Sequence, residues 1–143
     1  MEQIDKRELE NQLYSFMQDM NIWEVETEQK YNEVGIEDYG VEAGKKLKSI
    51  YDAYLTVKDR HLGRLPIPNA GFPPEYDLNC EKITNVTVNS PKKVEVETIW
   101  THPVVEDSKI KYRYIMINSN GKWLLDSKKM YSSVSQKWKG ITF

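Results

Sequence analysis

The residues best suited to chemistry are few in this chain and stand apart. Its 143 residues include two histidines and one cysteine, too few for an intramolecular disulfide or a cysteine-based zinc cluster. His61 closes a helical pattern, where a favourable interaction with the helix dipole accounts for it. His102 stands before Pro103 at a strand end, a place that needs no base or ligand role. Asp52 falls on the polar side of a helix with Lys45 and Lys48, so it reads as a solvated carboxylate. Cys80 has neither a histidine nor a helix start beside it to stabilise a thiolate, which makes it an inert, packed thiol. No His, Cys, Asp or Glu set has metal-ligand spacing, so neither a metal nor a cofactor is expected. Asn85-Val86-Thr87 matches a glycosylation acceptor in pattern alone and reads as strand.

Charge alternation carries more information. Lys109, Lys111 and Arg113 interleave with Tyr112 and Tyr114, which on a strand sends cations to one face and tyrosines to the other. A nucleic-acid stacking platform needs both on the same face. Glu95 and Glu97 are in phase with one another and placed to pair with the cationic ladder across strands. Asp126 has Arg113 as its diagonal neighbour in the simplest register, which favours an ion pair over catalysis. Twenty Lys and Arg against twenty-two Asp and Glu leave a net charge of -2, which argues against a protein held to nucleic acid by phosphate neutralisation. The set Tyr51, Tyr54, Phe72, Tyr76, Trp100, Tyr112, Tyr114 and Trp123 either fills a core or lines a cavity. Its tyrosine hydroxyls leave room for a polar pocket.

Positioning these side chains requires helices first and strands afterwards. Asp5 caps a helix with Glu8 at its third position, and Leu9, Leu13, Phe16, Met17 and Met20 then recur on one face. Asn21 is a place for a bend, and Val34-Gly35 for the end. After a connection from Glu37 to Gly40, a second helix over 41–61 buries Leu47, Ile50, Tyr51, Tyr54 and Leu55. Residues 65–78 hold four prolines, too many for a regular element, yet Leu65, Ile67, Phe72 and Tyr76 call for it to pack down as a loop or lid. The period then changes to two. Thr84, Val86 and Val88 share a face, a turn follows at 89–91, and Val94, Val96, Thr98 and Trp100 alternate with Glu95, Glu97, Ile99 and Thr101.

A hairpin over 109–128 turns at Asn120-Gly121. It points Tyr112, Tyr114, Met116, Trp123 and Leu125 to one side, and Ile115, Ile117 and Leu124 to the other. Both faces are apolar, so one needs a cover other than the helices. Residues 138–143 add a short last strand. The fold class is α+β, with N-terminal helices packed on one side of a curved antiparallel sheet. A chain of 143 residues with 39% hydrophobic and 29% charged residues is expected to form a single domain over 1–143. Its start, MEQIDKRELE, lacks the pattern of a leader, and no stretch approaches a membrane span, so a cytoplasmic location is expected.

Two helices, a proline-rich connection, and a sheet running through VEVETIW, KYRYIMI and GKWLLDSKK resemble the nuclear transport factor two-like fold, a cone of helices and curved sheet. Within that superfamily the chain is most similar to the immunity proteins of bacterial polymorphic toxin systems. The resemblance implies a non-catalytic protein that binds and neutralises a cognate toxin domain, a protein partner, and not nucleic acid or membrane. The toxin would meet the outer hairpin face at Ile115, Ile117 and Leu124, or the acidic corner at Glu33, Glu37, Asp38 and Tyr39. The alternative within the same fold is a small-molecule-binding protein or an isomerase or dehydratase, using a cone cavity lined by Tyr51, Tyr54, Phe72, Trp100, Tyr112, Tyr114 and Trp123. A homodimer through the sheet is a third option, because it too would cover the second hairpin face.

Overall fold

The computed structural model describes residues 4–58, 65, 68–70 and 73–143. Asp5 opens α1 (Lys6–Val34), its carboxylate accepting the backbone N–H of Arg7 at 3.0 Å and of Glu8 at 3.4 Å. Two otherwise unpaired N-terminal donors are thereby satisfied. The helix passes Asn21 without a break, and that side chain donates to the carbonyl of Tyr76 at 2.8 Å. Leu9, Leu13, Phe16, Met17, Met20 and Trp23 are buried along one face, as the spacing requires.

One residue, Gly35, joins the helices. Its N–H bonds the carbonyl of Tyr31 and its own carbonyl accepts from Tyr39, so it ends α1 and begins α2 (Ile36–Tyr54). The expected connection from Glu37 to Gly40 is therefore helix, with Glu37 and Asp38 in the first turn, where the dipole favours carboxylates. Gly35 sits at φ 87°, ψ 159°, a region that essentially only glycine enters. A Cβ there would meet nothing within 4 Å, so the cost of Gly35→Ala is all backbone. We expect a loss of about 1–3 kcal/mol in chemical denaturation; an unchanged midpoint would show that the corner relaxes freely.

The second helix also stops earlier than its pattern suggested. Leu55 is extended and forms a parallel bridge with Leu125, and the N–H of Thr56 bonds the Leu125 carbonyl at 2.9 Å. This pairing takes the chain out of the helix, a tertiary contact that periodicity cannot register. Arg60, His61, Ile67 and Phe72 lie outside the described residues. No helix among the described residues is long and apolar enough to cross a membrane.

Five strands follow: β1 (Glu81–Ser90), β2 (Lys93–Thr101), β3 (Lys109–Ser119), β4 (Lys122–Ser132) and β5 (Lys137–Ile141). They form one antiparallel sheet in sequence order. Asn120 at φ 54° and Gly121 at φ 86° make the two-residue turn between β3 and β4. Tyr112, Tyr114, Met116, Trp123 and Leu125 pack inward with Val94, Val96 and Trp100 against the apolar face of α1.

Bulges at two places change which side chains go in. In β1, Ile83 pairs Thr98 and Asn85 pairs Glu97, so Thr84 is extra; Ile83 and Val86 pack on the core, while Val88 on the same side is 46% exposed. The expected Thr84 face is corrected by that one inserted residue. In β4, Met116 pairs Leu125 and Ile115 pairs Ser127, which makes Asp126 extra. Beyond it the alternation is inverted, and Lys128 turns into the core.

Candidate functional site

The inward face carries a polar cluster among its aromatic rings. Glu81, first residue of β1, is fully buried. Its Oε2 accepts from the Thr98 hydroxyl at 2.6 Å and the Tyr114 hydroxyl at 2.7 Å. Its Oε1 has no hydrogen bond among the described residues. Across the sheet, the ammonium of Lys128 donates to Tyr76 Oη at 3.1 Å and to Glu75 Oε1 at 3.2 Å. It also stands 4.2 Å from the ring centre of Tyr112 and 4.3 Å from that of Tyr76, contacts that replace part of its hydration. Glu24, buried on α1, accepts the backbone N–H of Tyr76 and so ties this segment to the helix.

Burial raises the carboxyl pKa of Glu81, while the charge of Lys128 and the two hydroxyl donors oppose the rise. Burial, with Glu81 beside it, raises the Tyr114 phenol well above its ordinary value. The Glu81 shift has a definite sign in stability. Between the unfolded pKa near 4.5 and the higher folded value, the native state holds the proton more tightly. Stability therefore falls as pH climbs through that window. Glu81→Gln should remove this fall while keeping an acceptor for Thr98 and Tyr114. Urea denaturation from pH 4 to 8 tests it, and an unaltered slope would exclude Glu81 as the cause.

A second feature is a groove of about 1040 Å³ between the end of α2 and strands β4 and β5. Tyr51, Leu55, Leu65, Asp126, Ile141 and Phe143 are among its lining residues. Asp126 accepts from the Thr56 hydroxyl at 2.8 Å and pairs with Lys58 at 3.2 Å. The ion pair expected with Arg113 is thus replaced, because the bulge carries Asp126 to the sheet edge.

The third feature is the face of the sheet turned away from the helices. Strand pairing puts Lys82, Lys93, Lys109, Lys111, Arg113 and Lys129 on it, with Glu95 and Glu97 as the carboxylates of β1 to β4. Arg113 bonds Glu97 at 2.8 Å, reaches Glu95 at 3.8 Å, and lies 4.1 Å from the ring centre of Trp138. The expected pairing of the two acids with the cationic ladder thus centres on Arg113. Its guanidinium lowers the Glu97 pKa. That contribution to stability is present above pH 4.5 and lost as pH falls through the lower folded value. Glu97→Gln should flatten the acid limb of the stability curve, opposite in sense to Glu81→Gln.

The sequence-derived candidates fall into separate places. Ile117 and Leu124 are paired and partly exposed on the outer face, and Ile115 beside them is 8% exposed. Glu33, Glu37, Asp38 and Tyr39 sit at the helix corner, where Tyr39 packs edge-on to Tyr31. Of the aromatic set, Tyr51 lines the groove and donates to the Phe143 carbonyl at 3.2 Å. Tyr54 donates to Asp19 at 2.6 Å, and burial pushes its phenol up to about 12. Trp100, Tyr112, Tyr114 and Trp123 are core residues. His102 accepts the N–H groups of Val104 and Val105 through Nδ1, both at 3.0 Å, and so shapes the turn after β2. Burial raises the Cys80 thiol pKa, the reverse of activation. Among the described residues no three His, Cys, Asp or Glu gather as metal ligands would. Glu24, Glu81 and Lys128 escaped sequence reading, since a charged residue in an apolar strand or helix pattern is ordinarily assigned to solvent.

A curved antiparallel sheet carrying two N-terminal helices on one face, with a buried polar cluster between them, is an NTF2-like architecture. The chain belongs to the NTF2 fold immunity proteins, whose family model matches residues 8–141. It is similar to the immunity protein RhsIA of Dickeya dadantii (strain 3937), 31% identical over 129 residues, covering 90% of this chain and 91% of that protein. No solved structure matches.

Proposed function

We propose that this immunity protein acts by binding a cognate toxin domain in the cytoplasm, as a single domain, and blocking its active site or substrate access without chemistry of its own. The observation that carries the reading is the family match, which spans both helices and all five strands. Two features of the geometry support it. The buried titratable cluster is occupied by its own members, Thr98 and Tyr114 on Glu81, and Tyr76 and Glu75 on Lys128. Among the described residues, both helices pack on the inward face of the sheet, which leaves Ile117 and Leu124 partly exposed on the outer face beside Ile115. Blocking a toxin needs a pre-formed surface of the standard size, roughly 800 Å² on each partner, and a few anchors.

Co-expression tests this reading. Cells making the toxin domain encoded beside this protein's gene are expected to survive when the protein is present. Continued killing at equal expression would end the proposal.

The second reading, a small-molecule-binding protein or an isomerase or dehydratase, draws on Glu81, a buried carboxylate of raised pKa inside the cone. It predicts that Glu81→Gln abolishes function. Toxin inhibition predicts that the same variant still protects.

A further inference from the structure

The outer face of the sheet differs in charge from the molecule that carries it. The whole chain has a net charge of -2, yet β1 to β4 present Lys82, Lys93, Lys109, Lys111, Arg113 and Lys129 there against Glu95 and Glu97. Arg113 occupies both carboxylates, and the lysines at 82, 93, 109 and 111 are exposed around it. From Arg113 the apolar residues Ile115, Ile117 and Leu124 run toward the β3–β4 turn, Ile117 facing Lys93 at the start of β2, and toward β5 lie Tyr131 and Trp138, whose rings meet edge-on at 5.3 Å.

Apolar and aromatic side chains around an arginine, with exposed charges flanking them, are the anchors that protein-binding surfaces use. Arg113 is already fixed by Glu97 and Trp138, so little side-chain freedom is lost when it is covered. The size also fits. Strands of up to 11 residues rising ~3.4 Å each, five abreast at ~4.8 Å, give a face of roughly 700 Å² before side-chain relief is added. That is close to one side of a standard interface, about 800 Å².

The geometry points to this face, and not the helix corner, as the surface that holds the toxin domain, with an acidic protein surface as its complement. A second copy of this chain is disfavoured as the occupant, because a two-fold dimer would set the same exposed cations against themselves. The inference rests on the proposed function and names the surface through which it operates.

The test pairs the purified protein with a catalytically disabled form of the toxin domain encoded beside its gene, and follows association across a salt series. Lys111→Glu with Lys129→Glu is expected to cut the association rate about tenfold or more at low salt and to flatten its salt dependence. Ile117→Asp, in the apolar strip beside the β3–β4 turn, is expected to speed dissociation by a similar factor. Glu33→Lys with Glu37→Lys at the helix corner serves as the control and should leave both rates alone. Thermal melts establish that each variant is folded. Hydrogen exchange on the wild-type complex gives a readout without substitution, with new protection expected in β2 to β4.

Unchanged rates in the folded lysine and isoleucine variants, or protection confined to the helix corner, would overturn the assignment while leaving immunity intact. Salt-dependent binding of a DNA or RNA oligonucleotide in preference to the toxin domain would overturn it in favour of a nucleic-acid surface. If the wild-type protein neither binds the toxin domain nor protects cells, the function fails, and the surface assignment falls with it.

Discussion

Lys128→Ala is expected to destabilise the protein by about 2–4 kcal/mol, below the full range for breaking a buried ion pair because its partner Glu75 is 36% exposed. The Lys128 side chain is fully enclosed, paired with Glu75 and stacked among Tyr76, Tyr112 and Tyr114. Its charge is what offsets the burial of Glu81. Without it, the Glu81 carboxyl moves further up, and the interior must either keep an uncompensated anion or take up a proton. The loss should therefore be larger at pH 8 than at pH 5. Lys128→Met combined with Glu81→Gln removes both charges and keeps the volume, so it should recover most of that stability. Urea denaturation of the single and double variants at the two pH values decides the matter. A single-variant loss under about 1 kcal/mol, the same at both, would mean that the lysine compensates nothing.

Phe16→Ala should cost a comparable amount, about 3–5 kcal/mol, for a different reason. Phe16 is fully buried and meets three rings edge-on: Tyr54 of α2 at 5.6 Å, Tyr76 at 5.3 Å, and the C-terminal Phe143 at 5.8 Å. Each comes from a separate part of the chain, so one truncation loosens α2, the segment before β1, and the tail together. Phe16→Leu retains most of the packed volume and should cost less than half as much. Unlike Lys128→Ala, neither variant should show a pH-dependent loss, because no charge is uncovered. Equal losses for alanine and leucine would argue against a cavity as the cause.

Much of this architecture was legible along the chain. The apolar spacing of α1, its cap at Asp5, the closure at Gly35 and the Asn120-Gly121 turn each report a local preference, and each stands where it was expected. Local preference failed where a distant segment intervened. The end of α2 is set by the bridge from Leu55 to Leu125, residues far apart in sequence. His102 and Asp126 show the same limit, since their partners depend on the path of a turn and on a bulge.

By itself the sequence determined the two periodicities, 3.6 and then 2, the places where they break, and hence helices laid on one side of an antiparallel sheet. It also determined that Glu95 and Glu97 share one face of their strand, and Lys109, Lys111 and Arg113 one face of theirs, because alternation within a strand needs no knowledge of what lies opposite; that the two sets meet was decided by the pairing of β2 with β3. The tertiary structure alone decided what became of the charges near the core. A single inserted residue, Asp126, inverts β4 and sends Lys128 inward toward Tyr76, Tyr112 and Tyr114. Burial of Glu81 likewise depends on elements that close over it. Alternation is a property of adjacent residues, whereas register and burial are properties of the assembled sheet, in which one extra residue changes the side of every residue after it.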